Sequence, residues 1–398
     1  LPDELAHTIA DAAARGDPIE VIGGGTKRTI GRPMNAGLGL STRLMSGVTL
    51  YEPTEMVMSA KAGTPLARIT QQLAASRQML AFEPVDYGVL AAGEVGEPTI
   101  GSVFAANLSG ARRIMAGAAR DHLLGAAGVN GRAEIFKSGG RVMKNVTGYD
   151  IARALCGSWG TLAVLTEVTF KVLPVPERTE TLILFGLDDQ IAVEALCLTM
   201  GTPYEVSGAV HIQAPLAARL GQSGLGASGQ AVTAIRIEHV EASVAYRTEK
   251  LTSELKVYGN VHALGQDASL IFWSELQRLA PLAGSDAPVW RISTTPTAGP
   301  KIVAAISRYM DCRAFYDWSG GLVWAEVLPT ADAGAADIRR VVASHGGHAT
   351  LMRAAPAVRA IVDVFPPLDP AVARLTRRLK AAFDPAGILN PGRMYAGF

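Results

Sequence analysis

The stretch Ile22-Gly23-Gly24-Gly25-Thr26-Lys27 has the residue types and order to do chemistry. Three successive glycines allow positive φ and leave backbone N–H groups unshielded, so several donors can converge on one anion. Thr26 adds a hydroxyl and Lys27 a positive charge. The expected ligand is a diphosphate, and the competing reading is an ordinary turn from strand to loop. Lys27 is not followed by Ser or Thr in a G-x-x-x-x-G-K-[ST] pattern, so it is not a nucleotide-hydrolysis lysine. No G-x-G-x-x-G opens a long helix with an acidic residue about 20 positions on, which counts against a nicotinamide dinucleotide site.

The elements that must position this run can be read along the chain. Asp3 is the expected cap of a helix with Leu5, Ile9, Ala12 and Ala13 on one face and Gly16 at its end. Ile19 to Ile22 then reads as a strand that delivers the glycines. Thr64 is the expected cap of a second helix, with Pro65 at its first position and Leu66, Ile69 and Leu73 inward. Between Phe82 and Gly110, Pro84, Gly88, Gly93, Gly96, Pro98 and Gly101 mark a loop-rich backbone built for close approach. Within it, Gly101, Ser102, Ala105, Ala106 and Ser109 suit tight helix packing or a flat ligand lying against the chain. Asn130-Gly131 predicts a hairpin, and Ile151, Ala154 and Leu155 a short helix. From Leu162 to Val172 apolar residues alternate with Glu167, Thr169 and Lys171, a strand pattern that Pro174 and Pro176 end at a domain boundary.

Residues 178–345 carry short β-like runs, Thr181 to Phe185, Val232 to Ile237 and Leu322 to Glu326, among Ala-rich helical stretches. They predict one antiparallel sheet with helices on one face. Ile361 to Val364 reads as a strand. Asp369 caps a last helix with Val372, Leu375, Leu379 and Ala382 on one face, and the tail from Phe383 to Arg393 reads as docked. The expected fold class is therefore α+β.

Composition narrows the partners. With 398 residues, 48% apolar and 18% charged, the chain has material for two or more cores, and a net charge of +1 argues against nucleic acid or an anionic membrane as the main partner. Cys156, Cys197 and Cys312 lie far apart without C-x-x-C spacing, so no disulfide framework, zinc ribbon or Cys-ligated iron–sulfur cluster is expected. No apolar run reaches the roughly 20 residues of a membrane span. The start at Leu1-Pro2-Asp3-Glu4 is unlike a secretory signal and suggests that a few residues are trimmed or left out, so a cytoplasmic protein is expected.

Four segments, in order, resemble those of the FAD-binding flavoproteins of the vanillyl-alcohol oxidase and p-cresol methylhydroxylase (PCMH) type. Gly23-Gly24-Gly25-Thr26 looks like the first pyrophosphate loop. Thr99-Ile100-Gly101 with Ala106-Asn107-Leu108-Ser109-Gly110 looks like the second flavin-lining segment. Lys144 to Asp150 with Gly157 to Thr161 resembles the third, and Asp384-Pro385 with Asn390-Pro391-Gly392 the C-terminal signature. Within the family, Arg120-Asp121-His122 and Lys144 to Asp150 look most like the smaller flavoprotein subunit of bacterial glycolate oxidases.

The resemblance implies a PCMH-type FAD-binding domain of two α+β subdomains over residues 1–176 and an α+β cap domain with an antiparallel sheet over 177–345. Residues 346–398 would return to the first domain. It implies FAD contacts by Gly23, Gly24, Gly25, Thr26, Lys27, Pro84, Thr99, Ile100, Gly101, Ala106, Asn107, Ser109, Gly110, Asp121, Gly157, Gly160, Thr161 and Asn390. The glycine loop holds neither His nor Cys, so the FAD is expected to be noncovalent, and Cys156 to be a small buried residue.

The implied function is that of an FAD-binding subunit of a complex oxidising a 2-hydroxy acid such as glycolate and passing electrons to an acceptor other than oxygen. The partners would be a larger FAD-binding subunit and an iron–sulfur subunit, met on the inner face of the membrane. A self-sufficient 2-hydroxy-acid dehydrogenase, or a structural subunit that no longer turns over, are the alternatives. Such oxidation needs the substrate carbon against the flavin, a cation for the carboxylate, and a base or Lewis acid at the hydroxyl. The family's histidine-rich metal cluster is absent from the sequence, and no metal is expected. His345 and His348, separated by two glycines, read as backbone-satisfied loop residues rather than ligands. Arg236, His239, Arg291 and Arg353 are candidate carboxylate clamps that sequence cannot rank, and no catalytic residue can be named.

Overall fold

The computed structural model describes residues 2–91, 96–142 and 149–397. Gly93 and the Lys144 to Gly148 part of the third segment lie outside the described residues. The first helix, Pro2–Arg15, buries Leu5, Ile9 and Ala12, and Gly16 leaves it at φ +69°. Asp3 sits inside its first turn rather than capping it, where a carboxylate still suits the helix dipole. The strand Ile19–Ile22 pairs in parallel with Leu38–Ser41, and Ile19 also bridges Leu389 near the other end of the chain.

A five-stranded antiparallel sheet runs in the order Val48–Glu52, Val57–Lys61, Ala163–Lys171, Leu123–Asn130, Ile135–Gly139. The alternation expected from Leu162 to Val172 is broken. Ala127 faces Glu167 and Gly128 faces Leu165, so Thr166 is an extra residue in a bulge. Ala163 and Leu165 therefore share a core with Val168 and Phe170 instead of pointing away from it. The helix Leu66–Ala75 begins one residue later than expected, with Pro65 as its cap. Thr64 instead ties two loops together, accepting from Gly47 N–H and donating to the Lys61 carbonyl. The Asn130-Gly131 pair does open a hairpin, but through four connecting residues: Asn130 Oδ1 accepts the N–H of Arg132 and of Glu134. Gly131 is needed for close approach, because a Cβ there would stand 2.3 Å from Asp384 Oδ1.

The second layer is one eight-stranded antiparallel sheet, in the order His262–Leu264, Arg178–Phe185, Val232–His239, Val206–Ile212, Cys312–Asp317, Leu322–Val327, Val289–Thr294, Gly347–Arg353. Strand periodicity sorts its two faces. Leu182 and Leu184 share a core with Leu196 and Val244, and Trp290 and Ile292 with Ile302 and Ile338, from four helices on one side. The other side faces the five-stranded layer and carries the helix Gln266–Gln277, whose Phe272 and Trp273 share a core with Ile183 and Val210. The expectation of helices on one face alone is corrected to this extent.

Two further corrections concern the end of the chain. Gly347–Arg353 is the edge strand of the large sheet, so that sheet extends past residue 345. Ile361 to Val364 is no strand, because Pro356 starts a helix, Pro356–Ile361, that occupies its first residue. Asp369 caps the last helix, Pro370–Phe383, as expected; Val372 and Leu375 stay exposed, and Leu379 and Phe383 pack inward.

Candidate functional site

An open cleft of about 640 Å³ lies between the glycine loop, the helix Ile100–Ala105, the Trp159-Gly160 turn and the strand Ala163–Lys171. Its floor is possible only with glycine. A Cβ on Gly24 would meet Glu97 O at 1.5 Å and one on Gly23 would meet Thr99 Oγ1 at 2.7 Å, while Gly25 turns the chain at φ +87°. Among the described residues, no protein acceptor takes the backbone N–H of Gly23, Gly24, Gly25, Thr26 or Lys27. Unpaired consecutive donors at a turn are what an anion nest requires.

Two cations complete the wall. Lys27 is buried, and its Nζ donates to Thr26 Oγ1 at 2.9 Å and Ser102 Oγ at 3.3 Å, without a carboxylate in ion-pair contact among the described residues. Burial brings its pKa down to about 8, Asp86 opposing and Arg393 adding to the shift. Arg393 donates from Nη2 to the Lys27 carbonyl at 2.7 Å, its Nε is buried without a partner, and burial pushes its pKa down to about 10. Its guanidinium lies 5.5 Å from the Trp159 ring centroid. Free N–H groups, an uncompensated lysine and an orphaned guanidinium nitrogen fit a diphosphate.

Of the residues expected from sequence, Gly23, Gly24, Gly25, Thr26, Lys27, Gly101, Ala106 and Gly160 line this cleft. Thr99 caps the helix beneath it, its Oγ1 taking the Ser102 N–H, and Ile100 is buried core. Asn107, at φ +50°, accepts the Arg120 N–H and a Cys156 thiol contact. Ser109 accepts the Ala119 N–H, and Asp121 accepts the Ala118 N–H from an exposed position. Pro84 offers its carbonyl to Gln277 at the junction of the two layers.

Gly157 and Thr161 shape the turn that carries Trp159, Thr161 donating to the Ser158 carbonyl. Asn390 is a clamp behind the cleft: Oδ1 accepts the Val21 N–H at 2.8 Å and Nδ2 donates to the Trp159 carbonyl at 2.7 Å. Cleft residues that the sequence did not assign as FAD contacts include Trp159, Ala163, Leu165 and Arg393, while Ser102 and Ala105, read as small residues suited to a flat ligand, do line it. Arg393 closes the Asn390-Pro391-Gly392 signature, and a charge at the end of a docked tail was the available signal.

Beyond the cleft, the facing surface of the large sheet mixes apolar and polar side chains. Cross-strand register aligns Phe315, Trp324, Arg291 and Thr350 in one row and Asp317, Leu322, Ser293 and His348 in the next. These rows face the five-stranded layer, since their neighbours Trp290, Ile292, Ala349 and Leu351 point to the helices. Of the candidate clamps, Arg236 is bound to Glu83 and Arg353 to Glu326, whereas Arg291 has no acceptor among the described residues. His345 bonds the Val341 carbonyl, and His348 stands exposed on the edge strand, its pKa lowered by desolvation and then by Arg291 and Arg113. No helix among the described residues is long and apolar enough to cross a membrane.

Residues 2–139 match the family described as FAD binding domain, and residues 367–394 match FAD linked oxidases, C-terminal domain. The glycolate oxidase subunit GlcE of Escherichia coli is 33% identical over 393 residues, 98% of this chain and 97% of that protein. A D-lactate dehydrogenase of Archaeoglobus fulgidus is 31% identical over 173 residues, 43% of this chain and 37% of that protein. In fold the chain is similar to 4-ethylphenol oxidase from Gulosibacter chungangensis, with TM-score 0.72 and 15% identity over 100% of this chain and 88% of the other. It is also similar to p-cresol methylhydroxylase, with TM-score 0.70 and 14% identity over 99% and 87%.

Proposed function

The chain belongs to the FAD-linked oxidase family, PCMH-type in fold, and is an FAD-dependent oxidoreductase, and on that premise we propose that it is the flavin-binding subunit of a glycolate-oxidising complex. The end-to-end match to the glycolate oxidase subunit GlcE carries this reading. The reaction takes a 2-hydroxy acid such as glycolate to the 2-oxo acid. Electrons leave to an acceptor other than oxygen through a larger FAD-binding subunit and an iron–sulfur subunit, on the cytoplasmic side.

Bound FAD supplies the two-electron acceptor. The chain's own part is to hold it. The N–H groups from Gly23 to Lys27 would take the diphosphate oxygens and Lys27 and Arg393 would neutralise them, while Ala105, Ala106 and Trp159 wall the cleft. Asn390 keeps the first strand and the Trp159 turn at fixed separation. The large sheet would serve as the cap of the flavin site, and the cofactor would be held noncovalently.

Purified protein should carry about one equivalent of flavin that acid precipitation releases into the supernatant; a yellow pellet would refute the noncovalent reading. With a dye acceptor, glycolate or D-lactate should be turned over by the complex purified from the native cell and not by this chain alone. Turnover by the isolated chain would make it a self-sufficient dehydrogenase, and a flavin-free chain a structural subunit.

A further inference from the structure

We infer that Arg113, Arg291 and Trp318 form a binding site for a small carboxylate at the junction of the two layers, distinct from the diphosphate cleft. The inference rests on the oxidoreductase reading above and names where the acid's carboxylate is held.

The two arginines come from different layers. Arg113 begins the short helix Arg113–Ala116, next to the Ser109-Gly110 segment, and Arg291 projects from the strand Val289–Thr294. Both guanidinium carbons lie against one indole, at 4.3 Å and 5.2 Å from the Trp318 ring centroid. The indole is itself fixed across the junction, Nε1 donating to the Gly110 carbonyl at 3.0 Å. Gly110 ends the segment that starts at the cleft wall with Ala105 and Ala106, so the site adjoins the cleft without sharing its lining.

Two cations held together without a counterion repel, and their neighbours register it. Desolvation and then Arg291 lower the pKa of Arg113, and desolvation and then the two arginines lower that of His348. The acidic groups felt there are Asp121, which favours charged Arg113, and buried Asp317, one residue from Trp318, whose carboxyl desolvation pushes up to about 7 against the opposing pull of Arg291. Neither makes an ion pair with Arg113 or Arg291 among the described residues, and neither guanidinium donates to an oxygen of those residues. This contrasts with Arg112, Arg219, Arg236 and Arg353, each of which is paired to a glutamate.

The backbone adds a second observation. Trp318 at φ +51° and Ser319 at φ +59° are consecutive non-glycine residues in the left-handed region, followed by Gly320 at φ +100°. Non-glycine residues are held there against their steric preference, and such strain persists where the surroundings require that geometry. Here it sets the indole between the layers. A carboxylate takes paired N–H donors from guanidinium groups, and its arrival would join Arg113 to Arg291 and remove their repulsion.

The test uses the FAD-loaded protein and oxalate, which has carboxylates but no C–H to oxidise. Oxalate should perturb the flavin absorbance saturably. Arg113→Met and Arg291→Met should each weaken its binding at least about tenfold, as expected for losing a charged hydrogen bond, with flavin content unchanged. Arg291→Lys should fall between. Wild-type affinity within twofold in both methionine variants, or no saturable oxalate response in wild type, overturns the site. If either methionine variant fails to fold, Arg291→Lys and Trp318→Phe decide the matter by the same titration. Absence of 2-hydroxy-acid oxidation by the native complex would instead sink the functional reading, whatever oxalate does.

Discussion

Lys27 carries the clearest residue-scale consequence. Its ammonium is buried beside neutral hydroxyls, with a pKa near 8 caused mainly by burial. A diphosphate would favour the charged form and raise that pKa, so FAD binding takes up a proton above pH 8. Affinity should be flat below pH 7 and fall as pH rises through 8 and beyond, by at most about tenfold per unit. Isothermal titration of apoprotein across that range checks the slope, and Lys27→Met should remove it while weakening binding roughly 10- to 100-fold. Part of this was legible: a glycine triplet followed by Thr and Lys offers a nest, with an ordinary strand-to-loop turn as the competing reading. Arg393 was not assigned to the site, although the docked tail and Asn390 were, because only the fold shows its guanidinium reaching the Lys27 carbonyl. Arg291 could not be ranked against Arg236 and Arg353, because only the fold shows which of them a glutamate already holds.

At the scale of elements, the tail acts as a latch on the cleft. Lys380 Nζ donates to the carbonyls of Thr161 and Leu389 and to Asp384, while Asp384 accepts the N–H groups of Ile388 and Leu389. Replacing Asn390 with Ala leaves the Val21 N–H and the Trp159 carbonyl unpaired. It should cost roughly 2–4 kcal/mol in urea unfolding and weaken FAD binding. Gly131→Ala drives a methyl into the buried Asp384 carboxylate at 2.3 Å and should destabilise by about 1–3 kcal/mol in the same assay. The Asp384 and Asn390 motif was visible in sequence as belonging to the site, but its bonds show a clamp. Side-chain bonds to backbone leave no periodic trace. The Thr166 bulge was hidden for a related reason: both faces of that strand are covered in part, so an inserted residue leaves the apolar pattern looking regular.

For the whole molecule, the two layers are joined by a buried network of opposite charges. Arg112 makes a bidentate contact with Glu238, and Arg236 with Glu83, while Ser207 and Thr179 also donate to Glu238. Arg236 and Arg112 hold Glu238 well below the usual carboxylate range despite its burial. Its folded pKa is depressed, so its stabilisation is present above the unfolded value near 4.5 and is lost as pH falls below it. Glu238→Ala leaves Arg112 without its bidentate carboxylate and should cost roughly 3–5 kcal/mol at neutral pH in chemical denaturation. The double change with Arg112→Met should cost less than the sum of the two singles. The antiparallel sheet of this layer was predicted from its short β-like runs. Its edge strand was missed, because Gly346-Gly347 reads as a loop until pairing with Val289–Thr294 is seen.

The glycine nest is the proposed diphosphate site of this PCMH-type flavoprotein. A crystal structure of the protein with FAD bound tests this most directly. The diphosphate oxygens should lie within about 3.2 Å of backbone N–H groups between Gly23 and Lys27, with Lys27 Nζ and the Arg393 guanidinium on the same anion. A diphosphate seated elsewhere, with those N–H groups still facing solvent, would contradict it.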